Sequence, residues 1–287
     1  MFLPDQYQLL DFGHARRLER FGPVLLDRPC PTAEGTEPST LQAWQHADAR
    51  YERGPADSPD AGQWTPCGVP GDSWAVTWQA LSFELRRTAQ GQVGLFPEQA
   101  ENWDWIGQRV RAARRPLRVL NLFGYTGAST LAAAAAGAEV THVDAAKNIV
   151  NWARRNAAQC RLAEAPIRWI VEDAVKFVRR ELRRGNRYDA VILDPPSYGH
   201  GAHGEVWRLS KHLDGLLHLC AQLTASEREF ILLTCHTPGF GPMRLQAMLQ
   251  EALGPDLGGH TTAETLLLRT ADGRTLPCGT MARWARG

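Results

Sequence analysis

Apolar positions change their spacing partway along the chain. From about residue 117 onward, short apolar runs alternate with segments whose apolar residues recur at helical spacing. The runs predict strands over Arg118–Leu122, Glu139–Val143, Ile167–Val171, Ala190–Asp194, Glu229–Thr234, Thr265–Arg269 and Cys278–Trp284. The intervening segments predict helices over Ser129–Ala136, Lys147–Cys160, Ala174–Arg184, Leu209–Leu223 and Met243–Leu253. Strict strand–helix alternation implies a parallel sheet covered by helices. The last two strands are joined only by Thr270-Ala-Asp-Gly-Arg-Thr-Leu276, whose Asp-Gly pair signals a hairpin, so this pair is expected antiparallel. The expected fold is therefore α/β, with five parallel strands, a C-terminal antiparallel hairpin and seven strands in all.

Residues 1 to about 95 read differently. Asp27–Pro38 and Arg53–Gln63 are rich in Pro, Gly and Asp and read as loops. Between them lie strand candidates at Tyr7–Phe12, Phe21–Leu26, Ser73–Trp78 and Ala80–Arg86. This predicts a small β-rich N-terminal module over 1–92, followed by a nucleotide-binding domain over 93–287. Aliphatics are scarce there, so Trp44, Trp64, Trp74 and Trp78 are expected to form the module's core, with base stacking as the alternative role for one of them.

Composition narrows the function less than the pattern does. A chain of 287 residues can bury a substantial core. Its net charge of +1 provides no global field toward nucleic acid, so any RNA contact must use local patches. The six cysteines are scattered with no C-x-x-C pair, so neither zinc nor a disulfide framework is expected. The N-terminus lacks the basic and apolar regions of a signal peptide, and no apolar run is long enough to span a membrane. A cytoplasmic protein with no membrane partner and no metal is the expectation.

The candidate chemistry begins at the first strand of the sheet. Asn121-Leu-Phe-Gly-Tyr-Thr-Gly127 follows that strand and opens a helix, and Asp144 ends the second strand. The glycines permit a tight turn and close backbone approach to a ligand, and Asp144 is placed to accept hydrogen bonds from both ribose hydroxyls. The turn lacks the G-x-G-x-x-G spacing that cradles a pyrophosphate. A nucleoside without phosphates, S-adenosylmethionine (SAM), therefore fits better than NAD. Asn121, Phe123, Gly124, Tyr125, Thr126 and Gly127 are expected to wrap its methionine and ribose parts, with helix-start amides suiting the carboxylate.

Further motifs stand at the other strand ends. Asp173, before Ala174, is placed for the adenine amino group and is equally a helix N-cap. Asp194-Pro-Pro-Ser-Tyr198 ends the fourth strand at the carboxyl edge, where open α/β sheets bind ligands. Its prolines stiffen the backbone and remove donors. Asp194 and Tyr198 thus offer acceptors beside an aromatic plate, which suits a planar base with an amino group to orient. His200 and His203, in the loop that follows, are candidate bases or phosphate ligands, or simply solvated. Cys235, in Thr234-Cys-His236, is a candidate nucleophile toward pyrimidine C6, or else a buried strand-end cysteine. Lys176–Arg187 is basic on one helical face, either merely solvated or a phosphate-contact patch.

Together, Leu120–Gly127, Val143-Asp144, Glu172-Asp173-Ala174 and Asp194–Tyr198 resemble the class I SAM-dependent methyltransferases, in the group that includes the bacterial large-subunit ribosomal RNA cytosine-C5 methyltransferases. The resemblance covers roughly residues 93–250. It implies a Rossmann-like methyltransferase sheet, SAM as cofactor and RNA as partner. It also implies that Val93–Gln99 closes over SAM, which adds Phe96 to the cofactor set, and it adds Asn148 beyond Asp144. Two departures stand out. The family's basic RNA-binding β-module is not recognisable in residues 1–90, and the stretch around the cysteine is Thr-Cys-His where the family has Ser-Cys-Ser. Three readings remain: methylation of ribosomal RNA, methylation of a small molecule or protein, and SAM or NAD binding without methyl transfer.

Overall fold

The computed structural model describes residues 2–54, 62–66, 73–200, 206–225, 227–254 and 258–287, with the His200 side chain left aside. The chain divides into two compact units. One comprises residues 1–100 with 267–278, and the other comprises 101–266 with 279–287.

The first unit is built on a five-stranded sheet in the order β1-β2-β3-β4-β5, namely Tyr7–Gly13, Arg16–Phe21, Val24–Pro29, Ala49–Glu52 and Gln63–Pro66. A one-turn helix, α1 (Leu41–Trp44), lies between β3 and β4 in the chain, and a separate antiparallel ribbon pairs β6 (Ser73–Trp78) with β7 (Leu81–Arg86). Where the pattern predicts one strand over Phe21–Leu26, the chain instead turns at Gly22, whose φ is +58°. Arg16–Phe21 then pairs antiparallel with Val24–Pro29. The tryptophan core is corrected too. Trp78 is buried, but Trp44, Trp64 and Trp74 are half-buried. The interior is made by Leu9, Leu18, Phe21, Leu26, Val76, Phe83 and Leu85, spread singly through short strands. Much of the predicted loop Arg53–Gln63 lies outside the described residues.

The second unit contains the seven-stranded sheet that the pattern predicts, apart from the residues of its last two strands that fall within 267–278. Its strands are β8 (Arg118–Leu122), β9 (Glu139–Asp144), β10 (Ile167–Val171), β11 (Ala190–Leu193), β14 (Phe230–Cys235), β15 (Gly259–Arg269) and β16 (Thr275–Arg286). Their order is β10-β9-β8-β11-β14-β16-β15. β8 to β11 and β14 pair in parallel, and β16 runs antiparallel to β14. The order reverses direction on either side of β8, and at such a switch point the strand ends diverge and leave a crevice at their carboxyl edge. The helices are α3 (Ala128–Ala135), α4 (Lys147–Gln159), α5 (Ala174–Arg183), α6 (Leu209–Leu223) and α7 (Pro242–Leu253). α5, α6 and α7 share one continuous apolar core with β8, β11 and β14.

Around the sheet stand a further helix and a ribbon that the pattern does not predict. A helix, α2 (Ala100–Ala112), precedes the sheet and buries Trp103, Ile106 and Val110 at helical spacing. A small antiparallel ribbon, β12 (Tyr198–His200) with β13 (Val206–Arg208), follows β11. Among the described residues, no helix is long and apolar enough to cross a membrane. No group of three or more His, Cys, Asp or Glu is placed among them to hold a metal.

Candidate active site

The turn after β8 is strained and held from three sides. Phe123, Tyr125 and Gly127 all have positive φ, at 56°, 48° and 94°. For the two aromatic residues this conformation costs about 1–3 kcal/mol each, so the surroundings must enforce it. Asp144, at the end of β9, accepts the Tyr125 amide at 3.0 Å through Oδ2 and the Ala146 amide at 3.0 Å through Oδ1. Asn156 of α4, fully buried, donates to the Thr126 carbonyl at 2.9 Å. Beneath the turn, Asn121 donates to Thr130 Oγ1, which meets His142 Nδ1 at 2.8 Å.

The two glycines have separate reasons. A Cβ on Gly124 would lie 2.4 Å from Cε1 of His142. Gly127 carries the positive φ, and a Cβ there would lie 3.1 Å from that of Ala153. The turn therefore seats directly on a buried imidazole and on α4. Burial pushes the His142 pKa down to about 3, so the ring is neutral and serves as a hydrogen-bonding prop.

The cradle fits a nucleoside with a carboxylate. Each Asp144 oxygen takes one amide proton and keeps a further acceptor position for a ribose hydroxyl. Burial raises the Asp144 pKa against the pull of those two amides. Gly127 is the N-cap of α3 and, having no side chain, contributes no side-chain cap to the first amides of that helix.

Other expected cofactor residues fall in different settings. Asp173 caps α5, its Oδ1 accepting the Lys176 amide at 2.9 Å, two residues past the carboxyl end of β10. Ala174 is buried beside it. Asn148 is exposed in the first turn of α4. Phe96 is half-buried before the short turn Pro97–Gln99 in the first unit.

The acceptor segment follows the neighbouring strand, β11. Asp194 lies one residue past its end, with Oδ1 at 3.5 Å from Nε2 of His236. Burial works to raise its pKa, but His236 and a hydrogen bond from Thr234 prevail and hold it below the usual carboxylate value. Tyr198 is 52% exposed, with the Arg208 guanidinium 6.0 Å from its ring centre. Ser197 and Thr237 share a hydrogen bond at 2.6 Å, which joins the ends of β11 and β14. Trp207 ties the two halves of the site together. Its Nε1 donates to the Pro196 carbonyl at 2.7 Å, and its ring lies 5.0 Å from that of Phe123.

Cys235 is the last residue of β14 and only 1% exposed. Burial raises its thiol pKa, the opposite of what a thiolate nucleophile needs. His203 lies outside the described residues, as does the His200 side chain.

The supporting residues Thr130, His142, Asn156 and Trp207 were not among those expected from the sequence. The available signal was polarity in an apolar setting. His142 interrupts the run Val140–Val143, and Asn156 shares the buried face of α4 with Val150, Ala153 and Ala157.

Known proteins resemble the chain in sequence and in fold. The family model described as "S-adenosylmethionine-dependent methyltransferase" matches residues 37–248. A solved SAM-dependent methyltransferase from Agrobacterium tumefaciens is 38% identical, with a TM-score of 0.92 over 98% of this chain and 91% of that one. A solved chain from Streptococcus mutans, 17% identical, is similar in fold alone, with a TM-score of 0.76 over 98% of this chain and 75% of that one. Among curated relatives, ribosomal RNA large subunit methyltransferase K/L of Shewanella sp. (strain MR-4) is 31% identical over 45% of this chain and 18% of its own length. Ribosomal RNA large subunit methyltransferase K of Neisseria meningitidis is 27% identical over 48% of this chain and 38% of its own length. The match thus spans under two fifths of either curated relative. Model and full-length structural match together place this chain in the S-adenosylmethionine-dependent methyltransferase family.

Proposed function

We propose that the chain transfers the methyl group of SAM to a base in ribosomal RNA, by direct attack of the acceptor. One observation carries this reading. The cofactor cradle ends β8 and the Asp194–Tyr198 segment ends β11, and these are adjacent parallel strands at the carboxyl edge of the sheet. When bound, SAM supplies a methyl carbon on a sulfonium, a good leaving group. The protein's part is alignment, which by itself can account for much of the rate.

In this reading Asp144 holds the ribose, the Phe123–Gly127 turn holds the methionine part, and Asp173 meets the adenine with its carboxylate. Asn121, buried and bonded to Thr130, acts from below the turn. Asn148, in the first turn of α4, joins the cofactor set. Asp194 accepts a hydrogen bond from the acceptor's amino group, and Tyr198 offers its exposed ring as a stacking face. Direct attack is favoured because Cys235 is buried with a raised thiol pKa.

RNA as the partner is supported by the curated relatives, both ribosomal RNA methyltransferases by name. It is also supported by α5, whose Lys176, Arg179 and Arg183 are exposed while its one acid, Glu181, is fully buried. A net charge of +1 keeps a second reading in view, a small-molecule or protein acceptor. The test compares a strain lacking the protein with its parent, using labelled SAM added to extracts together with purified protein. Label entering ribosomal RNA of the deficient strain supports the reading. Label confined to protein or metabolites rejects it.

A further inference from the structure

We propose that His236 is a positioning residue that, acting through Asp194, carries away the proton released at the methyl acceptor. This rests on the direct-attack reading above and extends it to a residue outside the expected site set.

The pair sits on neighbouring parallel strands. Leu193 and Leu233 are register partners, so Asp194 and His236 emerge together past the ends of β11 and β14. Nε2 of His236 lies 3.5 Å from Oδ1 of Asp194, and each side chain is 31% exposed. The third strand is shaped for the ring. A Cβ on Gly279 of β16 would lie 2.7 Å from Nδ1 and 3.0 Å from Cε1 of His236. A larger residue there would push the imidazole from its place. The Ser197–Thr237 hydrogen bond fixes the same two segments three residues past Asp194 and one past His236.

This geometry suits an acceptor that must lose a proton. As an amino nitrogen attacks, its lone pair forms the N–C bond and the electrons of the C–S bond remain on sulfur. The nitrogen is left cationic with one proton in excess. That proton passes to the Asp194 carboxylate, then to neutral His236, and from the exposed imidazole to water. The starting charges are thereby restored without a further reactant. Beside the pair stands Cys235 on β14, whose thiol is acted on by the charges of both Asp194 and Arg244 at the start of α7, while β16 presents the backbone of Gly279.

The pH profile of kcat for RNA methylation is measured for the native protein and for His236→Gln and His236→Asn, with SAM affinity measured by calorimetry. The native profile is expected to fall on the acid side, as His236 takes up a proton before the reaction. The variants are expected to bind SAM as the native protein does, to lose about 10²-fold in kcat, and to lack that acid limb. A native profile without the limb overturns the proposal, as does a variant with native kcat and an unchanged profile. If the native protein places no methyl in RNA, the underlying reading itself has failed, and the native sample alone shows it.

Discussion

Asp144 holds the amide of Tyr125 at 3.0 Å, across from one strand end to the turn after its neighbour. The carboxylate proposed to hold the ribose therefore also enforces the left-handed backbone at Tyr125. Asp144→Ala should remove both functions. SAM affinity should fall by about 10²-fold or more, since hydrogen bonds to a charged group contribute about 1.5–3 kcal/mol each. Unfolding stability should fall by about 1–2 kcal/mol as two amides lose their acceptor. Calorimetry and denaturant melts read the two effects separately, and unchanged affinity would remove Asp144 from the cofactor site.

Gly124→Ala should damage the same turn from beneath, because the new methyl would meet the buried His142 ring. Overpacking of this kind costs about 1–3 kcal/mol. A drop in both stability and SAM affinity is expected, and a variant with native values for both would show that the turn does not rest on His142.

His142 also gives stability a pH dependence. Its folded pKa of about 3 lies below its ordinary 6.5. Between those values the unfolded chain binds a proton that the folded chain does not, so the neutral ring's contribution is complete above about pH 6.5. It is lost as the pH falls toward 3, at a slope approaching about 1.4 kcal/mol per pH unit. Urea melts from pH 7 to pH 4 should show a shallower fall in His142→Asn than in the native protein. Parallel curves would mean that the ring titrates normally in the fold.

The parts of this site that could be read in advance are those set by local chemistry. Continuous apolar runs gave the seven-stranded sheet, and Asp272-Gly273 gave the closing hairpin. Gly124, Gly127 and Asp144 marked the tight turn after β8 through backbone need and charge. Elements whose reasons are tertiary were harder to see. The β12–β13 ribbon has three residues per strand and depends on Trp207 reaching Pro196. Strands β4 and β5 are four residues each, below the length at which alternation can be recognised. Helix α2 did carry a pattern, Trp103, Ile106 and Val110, but no capping residue marks its start, and an expected cofactor-closing segment leads into it. Buried polar props such as Asn156 resemble helix interior until the fold shows the carbonyl they serve.

Cys235→Ala should keep turnover within a few-fold of native, with about 1 kcal/mol of stability lost to the small cavity. The thiol should also resist alkylation in the folded protein, since it is buried and protonated. Loss of turnover with SAM binding intact would instead establish a covalent route through this cysteine.

Replacing Lys176, Arg179 and Arg183 together by Glu should weaken RNA binding and flatten its salt dependence, with a slope change of about 0.9 for each phosphate contact removed. SAM affinity should not move. An unchanged salt slope would leave α5 as a merely solvated face.

The most direct measurement is methyl transfer from labelled SAM to ribosomal RNA by the purified protein, beside Asp194→Asn. Label should enter RNA with the native protein, and the Asn variant should bind SAM normally yet transfer at least about 10²-fold more slowly, as expected when an acceptor-aligning and proton-accepting group is lost. Equal transfer by the two proteins, or no label in RNA from either, would contradict methylation of an RNA base at the Asp194–Tyr198 segment.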